Sequence, residues 1–417
     1  MTGVRTVNPP VDRDAARALI DQIDVAAARD AVAGKVRHTP AVASPELSER
    51  LGSPVVLKAE CLQETGSFKL RGALNRVAAL GEDADAGLIT ASAGNHARAV
   101  ARAARLRGVG CEVFMPRDAA VSKVLAVRGL GADVQLGGES VDEVVELARE
   151  RSAQTGAAFV HPFDDLDVIA GQGTLGLELL ADVPDLARVV VPVGGGGLAG
   201  GIGVALAGSG REVELICVQA ASCAPFVEAL AGREAKPASA TTIADGIAVK
   251  RPGELTLPLL RELAAGALTV TEDQIAGAMV LLAETAKLVA EGAGAASVAA
   301  LLHGGLPPVE GATVAVLSGG NVDSGLLAAL LLRHETEEGR RVRIFTRIPD
   351  RPGGLAELLT LVAGTRANVL SVEHHREAVP LGVRETAVEL TLETRGPDHT
   401  RDMLDALAAG GYQADLG

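Results

Sequence analysis

The sequence predicts an α/β protein, with parallel sheets covered by helices and a βαββαβ unit near the C-terminus. Three observations carry this. Short aliphatic runs alternate with Ala/Leu/Arg/Glu stretches of helical spacing, and glycines cluster directly after the aliphatic runs. The pattern then stops at a polar break, His334-Glu335-Thr336-Glu337-Glu338-Gly339-Arg340-Arg341. Strands buried on both faces read as nearly continuous apolar runs, and their alternation with helices marks a parallel sheet covered on both sides.

In chain order, Val55-Val56-Leu57, Gly87-Leu88-Ile89-Thr90, Cys111-Glu112-Val113-Phe114-Met115 and Val134-Gln135-Leu136 read as buried strands. So do Val189-Val190-Val191-Pro192-Val193, Leu215-Ile216-Cys217-Val218 and Val314-Ala315-Val316-Leu317. Helices are expected between them, for example at 97–106 and 141–148. After the break, 342–348 reads as a strand and Pro349-Asp350-Arg351-Pro352-Gly353-Gly354 as a turn into a helix through Val362. Strands at 368–374 and 384–392, a helix at 399–407 and a short strand at Tyr412 complete the module. Thr386, Val388, Leu390 and Leu392 alternate with Glu385, Ala387, Glu389 and Glu393, which predicts one buried and one solvated face. The order βαββαβ is ferredoxin-like. The expected organisation is a domain at 1–333 with a smaller subdomain at about 60–165 inserted in it, a linker at 334–341 and an appended module at 342–417.

Composition narrows the function. Hydrophobic residues make up 48% and charged residues 22%, enough for several packed cores. The net charge is −14, aromatics are 2%, and there is no Trp and one Tyr. A nucleic-acid binder needs basic patches and stacking rings, and this chain supplies neither. Cys61, Cys111, Cys217 and Cys223 form no CxxC pair and read as buried small hydrophobes in a reducing compartment. No signal-type apolar core and no apolar run of about 18 residues is present. The expectation is a soluble, cytoplasmic protein.

Four motifs could carry chemistry. The first is Gly194-Gly195-Gly196-Gly197-Leu198, between an aliphatic strand and a helix. Consecutive glycines let N–H groups converge on an anion at a helix N-terminus, which suits a phosphate. Gly195, Gly197 and Gly200 also satisfy G-x-G-x-x-G, but the next strand ends Val218-Gln219, without the acid a dinucleotide site wants. The second is Ser67-Phe68-Lys69-Leu70-Arg71-Gly72. Lys69 falls in a first helical turn, two residues from Arg71, and both features are expected to depress its pKa. A depressed amine is what covalent lysine catalysis requires, although an exposed helical lysine is the plainer reading. The third, Ser92-Ala93-Gly94-Asn95-His96, places an amide, a hydroxyl and helix N–H groups where a carboxylate could bind. The fourth is Ser318-Gly319-Gly320-Asn321, which in isolation could be an ordinary turn.

Taken in this order, with His161-Pro162-Phe163-Asp164-Asp165 and Ile169-Ala170-Gly171-Gln172-Gly173-Thr174, these motifs resemble the threonine/serine dehydratases (ammonia-lyases) over about residues 15–332. These are pyridoxal 5'-phosphate enzymes of fold type II. The segment from Arg341 resembles an ACT domain, most clearly in Asp350-Arg351-Pro352-Gly353. The resemblance implies that Lys69 holds the cofactor and, once freed, removes the substrate α-proton, with Phe68 beside the ring. It further implies Asn95 on the ring hydroxyl, Gly194 to Gly197 with Leu198 on the phosphate, and Ser318 facing the pyridine nitrogen. Ser92, Ala93, Gly94 and His96 would grip the substrate carboxylate, and Glu291 would lie near the ring.

Three departures refine that expectation. Ala93 stands where related serine racemases carry a proton-donating serine. Gln219, Cys223 and Pro225 stand where their divalent-metal loop carries acids, so no such metal site is expected. Ala97-Arg98-Ala99 replaces the usual Ala-Gln-Gly, with no evident meaning. The leading function is dehydration and deamination of L-threonine, with L-serine as a second substrate. The alternatives are a dehydratase of serine or hydroxyaspartate, a racemase of the same fold, a nicotinamide-dependent oxidoreductase and a silent amino-acid sensor. An ACT module implies a homo-oligomer (dimer or tetramer), with isoleucine or valine as effector near Arg351 to Leu355.

Overall fold

The aliphatic runs become strands, and they sort into two parallel sheets within one part of the chain. The computed structural model describes residues 5–6, 12–233, 242–375, 382 and 384–417. Two units are distinguished, Met1–Val322 and Asp323–Gly417.

In the first unit a seven-stranded sheet runs in the order Arg5–Thr6, Gly266–Val270, Glu214–Ala220, Leu186–Pro192, Ala312–Val316, Val55–Lys58, Ala41–Ala43. The inner five strands are parallel, and the outer two pair antiparallel. Leu186–Pro192 sits in the middle, and Val189, Val190 and Val191 are wholly buried, as an apolar run covered on both faces should be. A second, all-parallel sheet has the order Asp133–Leu136, Cys111–Met115, Leu88–Ala91, Ala158–Phe159. Asp133–Leu136 is not the buried strand expected from its apolar residues. It is an edge strand with only Val134 buried and Leu136 facing solvent. All four cysteines are buried thiols without a disulfide.

Glycines set how closely the helices between the sheets approach. A Cβ on Gly171 would lie 2.6 Å from the Arg71 carbonyl oxygen, and one on Gly173 would lie 2.8 Å from that of Gly201. The Gly171-Gln172-Gly173 sequence therefore lets helix Leu166–Asp182 lie against both Lys69–Ala79 and Gly197–Ala207. Lys69–Ala79 buries Leu70, Ala73, Leu74 and Val77 in the core of the smaller sheet, beside Leu88, Val113 and Val134.

The second unit begins with helix Ser324–Glu337, which covers the first half of the segment expected as a linker. Its antiparallel sheet has the order Asn368–His375, Glu385–Glu393, Arg341–Pro349, Ala414–Leu416. With helices Gly354–Gly364 and Pro397–Ala409 this is a βαββαβ chain of ferredoxin-like order. Two details differ from expectation. The last strand is Ala414–Leu416, beyond Tyr412, which packs instead on the unit's apolar core. In Glu385–Glu393, Ala387 and Thr391 are buried along with Val388, Leu390 and Leu392. An inner strand, paired on both sides, does not leave its second face fully wet.

Candidate active site

Lys69 opens its helix and is half-buried. Its Nζ donates to the Pro162 carbonyl at 2.8 Å and lies 5.1 Å from the centre of the Phe68 ring. Burial pulls its pKa down to about 8, against the opposing charge of Glu291. The direction matches the sequence expectation, but Arg71 is not the cause. Arg71 is fully buried, donating through Nε and Nη2 to the two Glu60 oxygens at 2.8 Å and through Nη1 to Glu178 at 2.7 Å. Its remaining N–H groups reach Thr174 Oγ1 and the Arg37 carbonyl, each at 3.3 Å. Burial alone would raise Glu60, yet Arg71, Thr39 and Lys58 together hold its carboxyl below the usual range. Arg71 is thus neutralised in place and anchors the helix that carries Lys69.

The Ser318–Asn321 turn lies against this helix start. Phe68 N–H donates to the Ser318 carbonyl at 3.1 Å, and Ser67 and Gly319 form an isolated antiparallel bridge. Ser318 is buried. A Cβ on Gly319 would lie 2.3 Å from Glu291 Oε1 and 3.2 Å from Asn95 Nδ2, so a side chain there would displace these two groups. Glu291 accepts from Asn95 Nδ2 at 2.6 Å, and burial, aided by Asp245, pushes its pKa up to about 7. Asn95 Oδ1 in turn accepts from Asn321 Nδ2 at 2.7 Å. The structure therefore brings Lys69, Phe68, Ser318, Asn95 and Glu291 together.

Ser92, Ala93 and Gly94 precede helix Asn95–Arg107, with Ser92 Oγ accepting from Gly94 N–H at 3.2 Å. The imidazole of His96 is buried and bonded to the Val160 carbonyl at 3.0 Å, and burial holds its pKa down to about 3. His96 is thus neutral, and its main-chain N–H lies in the first helical turn.

The glycine loop ends the central strand. Gly196 adopts a left-handed conformation (φ 91°) before helix Gly197–Ala207, and Leu198 is buried in the first turn. A Cβ on Gly195 would lie 2.3 Å from the Phe163 ring, while Thr256 Oγ1 donates to the Gly195 carbonyl at 2.6 Å. Phe163 follows Pro162, so the Lys69 contact and the glycine loop meet through these two residues. Two other members of the same run are structural: Asp164 accepts from Glu254 and Leu255 N–H, and Asp165 caps helix Leu166–Asp182.

A pyridoxal phosphate asks for an accessible amine, side-chain-free donors for its phosphate and neutral hydrogen-bonding groups around its ring. Lys69, the Gly194–Gly197 loop, Asn95 and Ser318 match that set. The buried Ser67 hydroxyl, adjacent to Phe68, has no hydrogen-bond partner among the described residues. The residues present fit the group.

Gln219, where an acid would have signalled a nucleotide or a metal loop, is fully buried, and its Oε1 accepts from Phe226 and Val227 N–H at 2.9 and 3.0 Å. It caps helix Pro225–Leu230. Sequence reasoning assigned no role to Phe163, Arg98 or Asn321. Gly195, packed against the Phe163 ring, and Gly66, packed against the Asn321 amide, were the available signal.

Residues 32–319 match the model of the family described as pyridoxal-phosphate dependent enzyme. Over 94% of this chain and 98% of its own length, the L-threonine ammonia-lyase of Thermotoga maritima is 45% identical. That of Geobacter sulfurreducens is 43% identical over 93% and 97%. Among solved structures, the processed threonine deaminase isoform 2 of Solanum lycopersicum superposes with a TM-score of 0.72 at 34% identity, covering 79% of this chain and 97% of that one.

Proposed function

The chain belongs to the pyridoxal-phosphate-dependent enzymes, and from that premise we propose that it is an ammonia-lyase converting L-threonine to 2-oxobutanoate and ammonia, with L-serine to pyruvate as a second reaction. The observation that carries the reading is the half-buried amine of Lys69, held to a pKa of about 8 beside the Phe163–Gly195 contact. Bound there, the cofactor supplies an electron sink that acidifies the α-proton of the amino acid it holds. Lys69 anchors it and, as a free amine, takes that proton; an amine near neutrality is suited to both tasks. Gly194 to Gly197, with Leu198, would hold the phosphate through main-chain N–H groups, and Phe68 would lie beside the ring. Asn95 would donate toward the ring oxygen, with Glu291 close by. Ser318 would face the pyridine nitrogen with a neutral hydroxyl, which would limit the sink and favour loss of the β-hydroxyl. Ser92, Ala93, Gly94 and the His96 N–H would orient the substrate carboxylate. Ala93 has no proton to return to the opposite face, which speaks for elimination over racemisation.

The test is the visible spectrum of the purified protein. A yellow band that is lost on borohydride reduction and absent in Lys69→Ala supports the reading, and release of 2-oxobutanoate from threonine completes it. No band, even with added pyridoxal phosphate, would reject it.

The C-terminal unit is read as an ACT module. Its βαββαβ order supports this, as does a cavity of about 580 Å³ lined by Asp350, Arg351, Gly353, Leu355, His374 and Thr386. That cavity lies where an amino-acid effector such as isoleucine or valine is expected, in a homo-oligomer. A threonine turnover rate unmoved by either amino acid would remove the regulatory part alone.

A further inference from the structure

Arg98, the residue whose place in the sequence had no evident meaning, sits one turn into helix Asn95–Arg107 and is half-buried. Its Nη1 donates to Asn321 Oδ1 at 2.5 Å. Asn321 Nδ2 donates to Asn95 Oδ1 at 2.7 Å and to the Thr65 carbonyl at 2.9 Å, and Asn95 Nδ2 donates to Glu291 Oε1 at 2.6 Å.

The three links share one direction. A guanidinium has only donors, so Asn321 must present its oxygen to Arg98. Its amide nitrogen then faces Asn95, whose oxygen is thereby occupied and whose nitrogen is left to point toward Glu291. The Thr65 carbonyl, which can only accept, requires the same orientation of Asn321 from the other side. An asparagine amide is nearly symmetrical in shape, so without such neighbours it can turn over and exchange donor for acceptor. Gly66 lets this arrangement close: it has φ 77°, and a Cβ there would lie 2.4 Å from Asn321 Oδ1.

We propose that Arg98 is a positioning residue that, through Asn321, locks Asn95 as a hydrogen-bond donor toward the cofactor ring. The proposal rests on the cofactor reading above. It assigns no contact between Arg98 and substrate.

The test compares two replacements in the full-length holoenzyme. In Arg98→Lys the new side chain keeps a group that can only donate to Asn321, whereas in Arg98→Glu it can only accept, which turns the relay against its observed direction. Asn321→Asp provides an independent break, because it still accepts from Arg98 but cannot donate to Asn95. The readouts are the position of the visible cofactor band, the dissociation constant for pyridoxal phosphate by equilibrium dialysis, and circular dichroism to establish folding. Arg98→Lys should keep the band position and stay within about threefold of the parent constant. Arg98→Glu and Asn321→Asp should displace the band and weaken retention on the order of tenfold, the scale of one lost charge-assisted hydrogen bond. If the Lys and Glu variants match each other, or all three variants match the parent, the relay is refuted. A parent protein without any visible band refutes the cofactor reading instead, so the two failures are distinguishable.

Discussion

Two arginines flank the site, and they are held by opposite means. Arg71, two residues after Lys69, is wholly buried, and every guanidinium N–H has an acceptor, chiefly the carboxylates of Glu60 and Glu178. Arg98, three residues after Asn95, is half-buried and donates to a neutral amide. A buried charge needs compensating charge, so Arg71 is bound into an ionic network that holds helix Lys69–Ala79 to Leu166–Asp182. An amide acceptor supplies little binding energy but has a direction, and direction is what Arg98 passes on. Charge holds the backbone in place on one side of the site, and donor polarity orients a side chain on the other.

The comparison breaks most visibly at the residue that the Arg71 network supports. Lys69→Ala should lower threonine turnover by at least about a thousandfold, in the range of a lost proton-transfer group, with unchanged circular dichroism. Arg71→Leu comes next. It leaves Glu60 and Glu178 facing an apolar side chain and should destabilise the protein by about 3–5 kcal/mol in urea denaturation. Arg98→Met sharpens the contrast, because it should cost about 1 kcal/mol or less in the same measurement while disturbing the cofactor band. Equal losses for Arg71→Leu and Arg98→Met would erase the distinction.

A smaller effect is expected on acidification. His96 and His161 are held neutral by burial, with pKa values of about 3 and about 4. Between pH 6.5 and those values the unfolded chain binds protons that the folded chain does not, so stability falls as pH falls. Each buried histidine should contribute up to about 1.4 kcal/mol per pH unit in that window. Replacing His96 with Asn should flatten the acid limb of a stability–pH curve, and an unchanged limb would contradict its burial as a neutral ring.

Much of this was legible in residues whose role is local. The glycine tetrad, the strand before it and the helix after it follow from one short stretch, and so does the placement of Lys69 at a helix start. What escaped depends on partners far apart in the chain. Arg71 read as a like charge beside Lys69 because neither neutralising carboxylate is marked by spacing. Glu60 lies before the loop that precedes the helix, and Glu178 is more than a hundred positions away. That the His96 ring is tied inward could not be read, because its partner is a main-chain carbonyl, at Val160, which carries no mark in a sequence. Gln219 read as a missing acid, when its amide oxygen was needed to cap Pro225–Leu230. The edge strand Asp133–Leu136 was misjudged because apolar residues do not reveal how many neighbours a strand has.

Tyr412 is the chain's single tyrosine, there is no tryptophan, and its ring packs against the core of the C-terminal unit. Tyrosine emission therefore comes from that unit alone, while a cofactor bound at Lys69 would absorb in the visible and report on the other. The native protein thus carries two optically separate probes, one per unit, without any label. Following both through a single denaturant titration would show whether the two units melt together or in turn. Following Tyr412 during addition of isoleucine would test for an effector of that unit before any turnover is measured.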